Sequence, residues 1–131
     1  MPEFFIGTDI LSVPRIGKIL KSKNKNRFKI KTFTKKEIEY CGNKPQPMIH
    51  YAGRFAAKEA FSKALGTGIR KGISLKNIII FNDVYGKPKI KLKGSTYNYL
   101  KKKVKSKKYN IHLSLSDDEP WAQATVIISY R

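Results

Sequence analysis

Apolar and polar residues alternate strictly over Ile111-His112-Leu113-Ser114-Leu115-Ser116. This predicts a strand with its aliphatics packed on one face and His112, Ser114 and Ser116 together on the other. Trp121 to Tyr130, containing Val126-Ile127-Ile128, predicts a closing strand. Ile78 to Phe81 reads as a buried strand, and Lys89 to Leu92 as a partner with one wet face; Asn82-Asp83 and Gly86-Lys87-Pro88 turn between them. Phe4-Phe5-Ile6 predicts a short buried strand ending at a polar site, Gly7-Thr8-Asp9. Helical spacing recurs at Val13, Ile16, Ile19 and Leu20, with Ser12 as N-cap and Pro14 in the first turn. Thr34-Lys35-Lys36-Glu37 has the form of a capping box opening a short helix through Tyr40. The longest helix is predicted over Met48–Leu65, entered through Pro47 and closed by Gly66. Ser95 to Lys105 reads as a helix with Tyr97, Leu100 and Val104 as its apolar stripe. Lys21 to Lys31 reads as a mobile connection or an extended surface helix.

Strands and helices mix without βαβ regularity, so the predicted class is α+β, a mainly antiparallel sheet packed on the long helix in a single domain over 1–131. No apolar run reaches transmembrane length, and the start lacks the basic and apolar regions of a secretory signal. Cys41 is the lone cysteine, so no internal disulfide forms and a reducing compartment fits. The net charge of +19 attracts anionic partners: nucleic acid, anionic lipid, phosphorylated cofactors or an acidic protein. Of the 28 basic residues 23 are lysine, accompanied by seven asparagines, a bias that A+T-rich coding also produces. The charge therefore names no partner.

Several chemistries fall away. Gly66-Thr67-Gly68-Ile69-Arg70-Lys71-Gly72 imitates a phosphate loop in composition but lacks its Gly-Lys-[Ser/Thr] ending. One cysteine and two histidines make no usual zinc site. His112, Ser114 and Asp117 lie too near along one strand to converge as a triad. What survives has three parts: two carboxylates, and the polar strand face at His112 with Lys87 after a tight glycine turn, where a half-exposed strand histidine is the plain alternative. Asp9 follows a glycine at a strand end, where a turn or cap residue is the plain alternative. Glu59 lies in Arg54-Phe55-Ala56-Ala57-Lys58-Glu59-Ala60-Phe61-Ser62-Lys63, one helix face from Lys63; an i,i+4 ion pair is its plain alternative. Two oxygen donors suit Mg²⁺, which keeps waters and substrate phosphates in its shell.

Gly7-Thr8-Asp9-Ile10, Arg54-Phe55-Ala56-Ala57-Lys58-Glu59-Ala60, Gly86-Lys87-Pro88 and His112-Leu113-Ser114-Leu115-Ser116-Asp117 stand in the order and separation of a known family. From Phe5 to about Ser129 the chain resembles the 4′-phosphopantetheinyl transferases of the holo-acyl-carrier-protein synthase type. The resemblance implies transfer of phosphopantetheine from coenzyme A to a serine of acyl carrier protein, releasing adenosine 3′,5′-bisphosphate, a step of fatty acid biosynthesis. It implies that Asp9 and Glu59 hold Mg²⁺ on the pyrophosphate, with Mn²⁺ accepting the same ligation. Glu59, or a water on the metal, would take the serine proton, and Lys63 would stabilise the departing phosphate. Lys58 and Arg54 would bind phosphate oxygens. Lys87, His112 and Ser114 would line the nucleotide pocket, and Arg15 would meet acidic residues of the carrier. The family's compact members are homotrimers with the active site between subunits, which implies the same here.

An alternative reading is a single-strand nucleic-acid-binding module, with lysines interleaved among Tyr97, Tyr99 and Tyr109. It leaves Asp9, Glu59 and the glycine turns unexplained, and five arginines give little base readout. Lys21–Lys31, Lys101–Lys108 and Asp117-Asp118-Glu119 depart from the family's usual composition. A bacterial source would place the chain in the cytoplasm; an organelle-bearing parasite would place it in a plastid-type organelle, with a transit peptide preceding these residues.

Overall fold

The computed structural model describes residues 3–70 and 72–131; Lys71 of the glycine-rich run, and Met1 and Pro2 of the start read above, lie outside the described residues. Strand β1 (Glu3–Ser12) runs directly into helix α1 (Val13–Leu20), followed by α2 (Lys25–Thr32), α3 (Lys35–Gly42) and the long α4 (Pro47–Leu65). A single 3₁₀ turn (Leu75–Asn77) precedes the hairpin β2 (Ile78–Asn82) and β3 (Pro88–Leu92). Helix α5 (Gly94–Lys103) and the strands β4 (Tyr109–Asp118) and β5 (Trp121–Tyr130) complete the chain. The main sheet is antiparallel in the order β1-β5-β4, and β2–β3 form a separate two-stranded sheet. The α+β reading holds.

Local chemistry sets most element ends. The Ser12 side chain accepts the Arg15 N–H at the start of α1, with Pro14 in the first turn. At α3 the capping box is complete: Thr34 Oγ1 accepts the Glu37 N–H and the Glu37 carboxylate accepts the Thr34 N–H. Gly66 closes α4 in the left-handed conformation, at φ 79°.

Helix α4 lies across one face of the main sheet. Ala56, Ala57, Ala60 and Ala64 share a core with Leu113, Ala124, Val126 and Ile128. A second core joins Val13 and Ile16 of α1 to Phe33, Cys41, Tyr51 and Ala122. Burial lifts the Cys41 thiol to about 11, so it is an inert packing group.

Two expectations are corrected, and a third, left between two readings, resolves to the helix. β1 is not a short buried strand ending at Asp9: it continues through Ser12, and Asp9 sits mid-strand opposite Ala124. Its outward residues Phe4, Ile6 and Ile10 are exposed by 64%, 65% and 62%, because none of the described residues covers the second face of this sheet. In α5, Thr96 replaces Tyr97 on the buried side with Leu100 and Val104; Thr96 Oγ1 accepts the Ser74 N–H. The Lys21–Lys31 segment is largely helical, since Phe28 packs on Phe33 and Phe55 with ring centroids 5.7 Å apart in each pair.

Candidate active site

Nearly every side of α4 is buried, and the exception is informative. Tyr51, Arg54, Lys58, Phe61 and Leu65, stepping by three and four, are all buried. Phe55, Glu59 and Lys63 form a less buried stripe, with Lys63 the exposed end. Opposite this stripe β1 presents Asp9. The approach is close because Gly7, on the same inward face as Asp9, lets the strand backbone lie against Ala60 and Ala64. Lys63 Nζ donates to Asp9 Oδ1 at 2.8 Å, so the cation pairs across to the strand rather than along the helix to Glu59. A cleft of about 320 Å³ opens here, walled by Ile16, Ile19, Phe28 and Phe55 and carrying Asp9, Glu59 and Arg15.

The electrostatics of the cleft favour a cation. Burial raises the Glu59 carboxyl above the usual carboxylate range, and the Asp9 charge raises it further, with Lys63 offsetting in part. Two repelling carboxylates in a partly dry cleft are a donor set that a divalent ion completes. No group of three or more His, Cys, Asp and Glu with metal-holding geometry occurs among the described residues. The pair therefore fits Mg²⁺, which takes one or two carboxylates and fills its octahedron with waters and phosphate oxygens, better than zinc.

The other residues singled out in the sequence stand in two further places. Arg54 is five residues before Glu59, about 140° away around the helix. Its guanidinium lies 3.9 Å from the Tyr40 ring centroid and donates to Asn82 Oδ1 at 2.6 Å. It borders a separate groove of about 1100 Å³ between α3 and the β2–β3 hairpin. Asn82 in turn donates to the Gly86 carbonyl, and Asp83 Oδ1 accepts the N–H groups of Tyr85 and Lys87. These bonds hold the Asp83 carboxyl below its usual range and make the turn of Lys87 rigid, with Gly86 at φ 82°. His112 and Ser114 are exposed on the uncovered face of the sheet, opposite Ile127 and Thr125 of β5.

Lys58 is a correction. It is fully buried, and its ammonium donates to Glu37 Oε1 at 2.9 Å, the Leu75 carbonyl at 2.8 Å and the Ile78 carbonyl at 2.7 Å. All three of its donors are spent, so none is left for a phosphate oxygen. Burial lowers its pKa, and the Glu37 charge and hydrogen bond oppose the shift. The signal was present in the sequence, since Lys58 falls on the Tyr51–Phe61–Leu65 stripe. Glu37, read only as a capping residue, is its buried partner. Phe28 and Phe55 of the cleft and Asn82 beside Arg54 also escaped the sequence reading; only the fold brings them there.

The α+β domain thus seats a carboxylate pair and a lysine between a glycine-bearing strand and an alanine-lined helix, and comparison with known proteins gives its class as a transferase. The model of the 4′-phosphopantetheinyl transferase superfamily matches residues 5–125, and the chain belongs to that superfamily. Within it, the chain is 46% identical to the holo-acyl-carrier-protein synthase of Zymomonas mobilis over 125 residues, 94% of this chain and 93% of that protein. The crystal structure of the Neisseria meningitidis synthase superposes with a TM-score of 0.83 at 37% identity, covering 95% of this chain and 96% of that one. The Helicobacter pylori synthase, crystallised in complex with coenzyme A, gives 0.79 at 34%, covering 94% and 98%. These likenesses support an enzyme over a nucleic-acid-binding module.

Proposed function

We propose that this chain transfers 4′-phosphopantetheine from coenzyme A to a serine of an apo acyl carrier protein, leaving adenosine 3′,5′-bisphosphate. The observation that carries the proposal is the cleft that holds Asp9 and Glu59, with Lys63 bonded to Asp9 beside it. Asp9 and Glu59 would hold Mg²⁺, which when bound neutralises pyrophosphate charge and makes the phosphorus more electrophilic. The serine oxygen forms its bond to that phosphorus as the bond to the bridging pyrophosphate oxygen breaks. Glu59, its carboxyl raised by burial, is suited to take the serine proton. Lys63, more than half exposed and paired only with Asp9, is free to turn its ammonium toward the leaving phosphate. Arg15, exposed at the rim on α1, is placed to pair with a carboxylate of the carrier. Mass spectrometry of an apo carrier incubated with the protein, coenzyme A and Mg²⁺ tests the reading. A gain of one phosphopantetheine is expected, and an unchanged mass with a cognate carrier refutes it.

The working unit is a homotrimer. The 320 Å³ cleft is at the lower limit for even a drug-sized ligand, and coenzyme A is larger. Arg54, Lys87, His112 and Ser114 stand apart from the cleft within one chain, so an adjoining subunit has to supply them. The main sheet offers the contact: its three strands carry no lysine or arginine in a chain of net charge +19, and its bare face presents Phe4, Ile6, Ile10 and Ile127. Light scattering is expected to give three times the chain mass. The Ile6→Lys/Ile127→Lys variant is expected to run as a folded monomer without transfer activity; a monomeric, active wild type would contradict the trimer.

A further inference from the structure

We propose that Glu37 and Lys58 are positioning residues that fix α4 against α3 and the start of β2, and thereby hold Glu59 in place opposite Asp9. The inference rests on the reading of Glu59 given above. Where α4 meets β1 the contact is Ala60 and Ala64 against the backbone of Gly7, while the larger core side chains Phe61 and Leu65 lie on the stripe shared with Lys58. Apolar contact of that kind resists separation well and sliding poorly.

The Lys58 ammonium supplies what the alanines lack. Its three bonds go to three different segments: the α3 carboxylate of Glu37, the 3₁₀ turn at Leu75 and the start of β2 at Ile78. Glu37 spends its remaining capacity on the backbone, accepting the Thr34 N–H at 2.7 Å and the Ile80 N–H at 3.0 Å. Every donor and acceptor of the pair is thus fixed by main chain or by the partner. A buried ion pair is often no more stabilising than an apolar pair of equal volume, and its best-attested benefit is a single register. Glu59 is the next residue along the chain, so a shift of Lys58 moves Glu59 with it. Lys58 is a motif residue that touches no substrate in this arrangement, and positioning accounts for it.

The test removes both charges together. Glu37→Leu/Lys58→Met is expected to keep the fold and to hold the carrier KM within twofold, with a lowered melting temperature because the Thr34 and Ile80 N–H groups and the Leu75 and Ile78 carbonyls lose their partners, while kcat falls at least tenfold. Amide hydrogen exchange over Phe61–Leu65 is expected to quicken at least tenfold, a readout independent of transfer. Wild-type kcat with unchanged exchange in the folded double variant overturns the proposal, as does a loss confined to the coenzyme A KM. If the double variant does not fold, Glu37→Gln decides: it faces an amide N–H₂ or loses an acceptor toward Ile80, and a threefold fall in kcat at constant KM is expected. Wild-type kcat and exchange in that variant overturn it. Absence of transfer by the wild-type protein would refute the function instead, and exchange would still judge the positioning.

Discussion

Glu59→Gln is expected to lower kcat/KM by at least about 10²–10³-fold, the usual scale for removing one preorganised electrostatic group, while making the metal-free protein more stable at neutral pH. The two effects share one cause. The folded state raises the Glu59 pKa, first by burial and then through Asp9, so it binds the proton more tightly than the unfolded chain does. The stability that this linkage provides is present below the ordinary glutamate range and is lost as pH rises through the raised value. At pH 7.5 the ionised side chain is therefore a burden that the neutral amide removes. A rise in Tm is expected at pH 7.5, shrinking as pH falls into the ordinary glutamate range. Asp9→Ala is expected to abolish transfer to the same degree. It should leave stability within about 1 kcal/mol, because the Lys63 side of the Asp9–Lys63 pair is 54% exposed and the substitution also removes the Asp9–Glu59 repulsion. A Glu59→Gln protein less stable than wild type at pH 7.5 would show that Glu59 serves the fold.

Gly7→Ala carries the largest expected effect on stability. A Cβ at position 7 would overlap the Ala60 carbonyl oxygen and come within 2.5 Å of the Ala64 nitrogen and 3.0 Å of its Cα. All of these are backbone or Cα atoms of a buried helix, so strand and helix would have to separate. The cost is expected to reach about 3 kcal/mol or more, a fall in Tm of roughly 9–15 °C. Asp9 is two residues on, so the same displacement opens the cleft, and transfer should fail even well below the lowered Tm. Gly17→Ala is the control: its nearest neighbour is the flexible Met48 side chain, with Sδ at 3.2 Å, and little change is expected. Similar melting of the two variants by thermal denaturation would contradict the close approach.

Elements governed by local chemistry were legible in the sequence. The Ser12 cap, the Thr34–Glu37 capping box, the Gly66 stop and the alternation over Ile111–Ser116 stand as read. Elements governed by what lies beyond the segment were not. Phe4 and Ile6 are apolar and therefore read as core, but a three-stranded sheet with one helix layer has a second face to leave bare. Lys58 was given to phosphate oxygens by resemblance, but a buried carboxylate and two carbonyls take its three donors. Asp9 and Glu59 were paired in sequence by resemblance; the fold puts both at one cleft, while Arg54, Lys87 and His112 stand elsewhere in the same chain. The spacing of five puts Arg54 on another face of α4 from Glu59, but where Lys87 and His112 stand relative to the cleft depends on how the hairpin and the sheet pack, which the sequence does not carry.

Anomalous diffraction from crystals grown with coenzyme A and Mn²⁺ tests the assignment of the cleft most directly. The account predicts one metal peak within about 2.0–2.3 Å of a carboxylate oxygen from each of Asp9 and Glu59, with the pyrophosphate on its far side and Lys63 turned toward it. Coenzyme A bound with its pyrophosphate away from these two carboxylates, or a metal held by other residues, would contradict it.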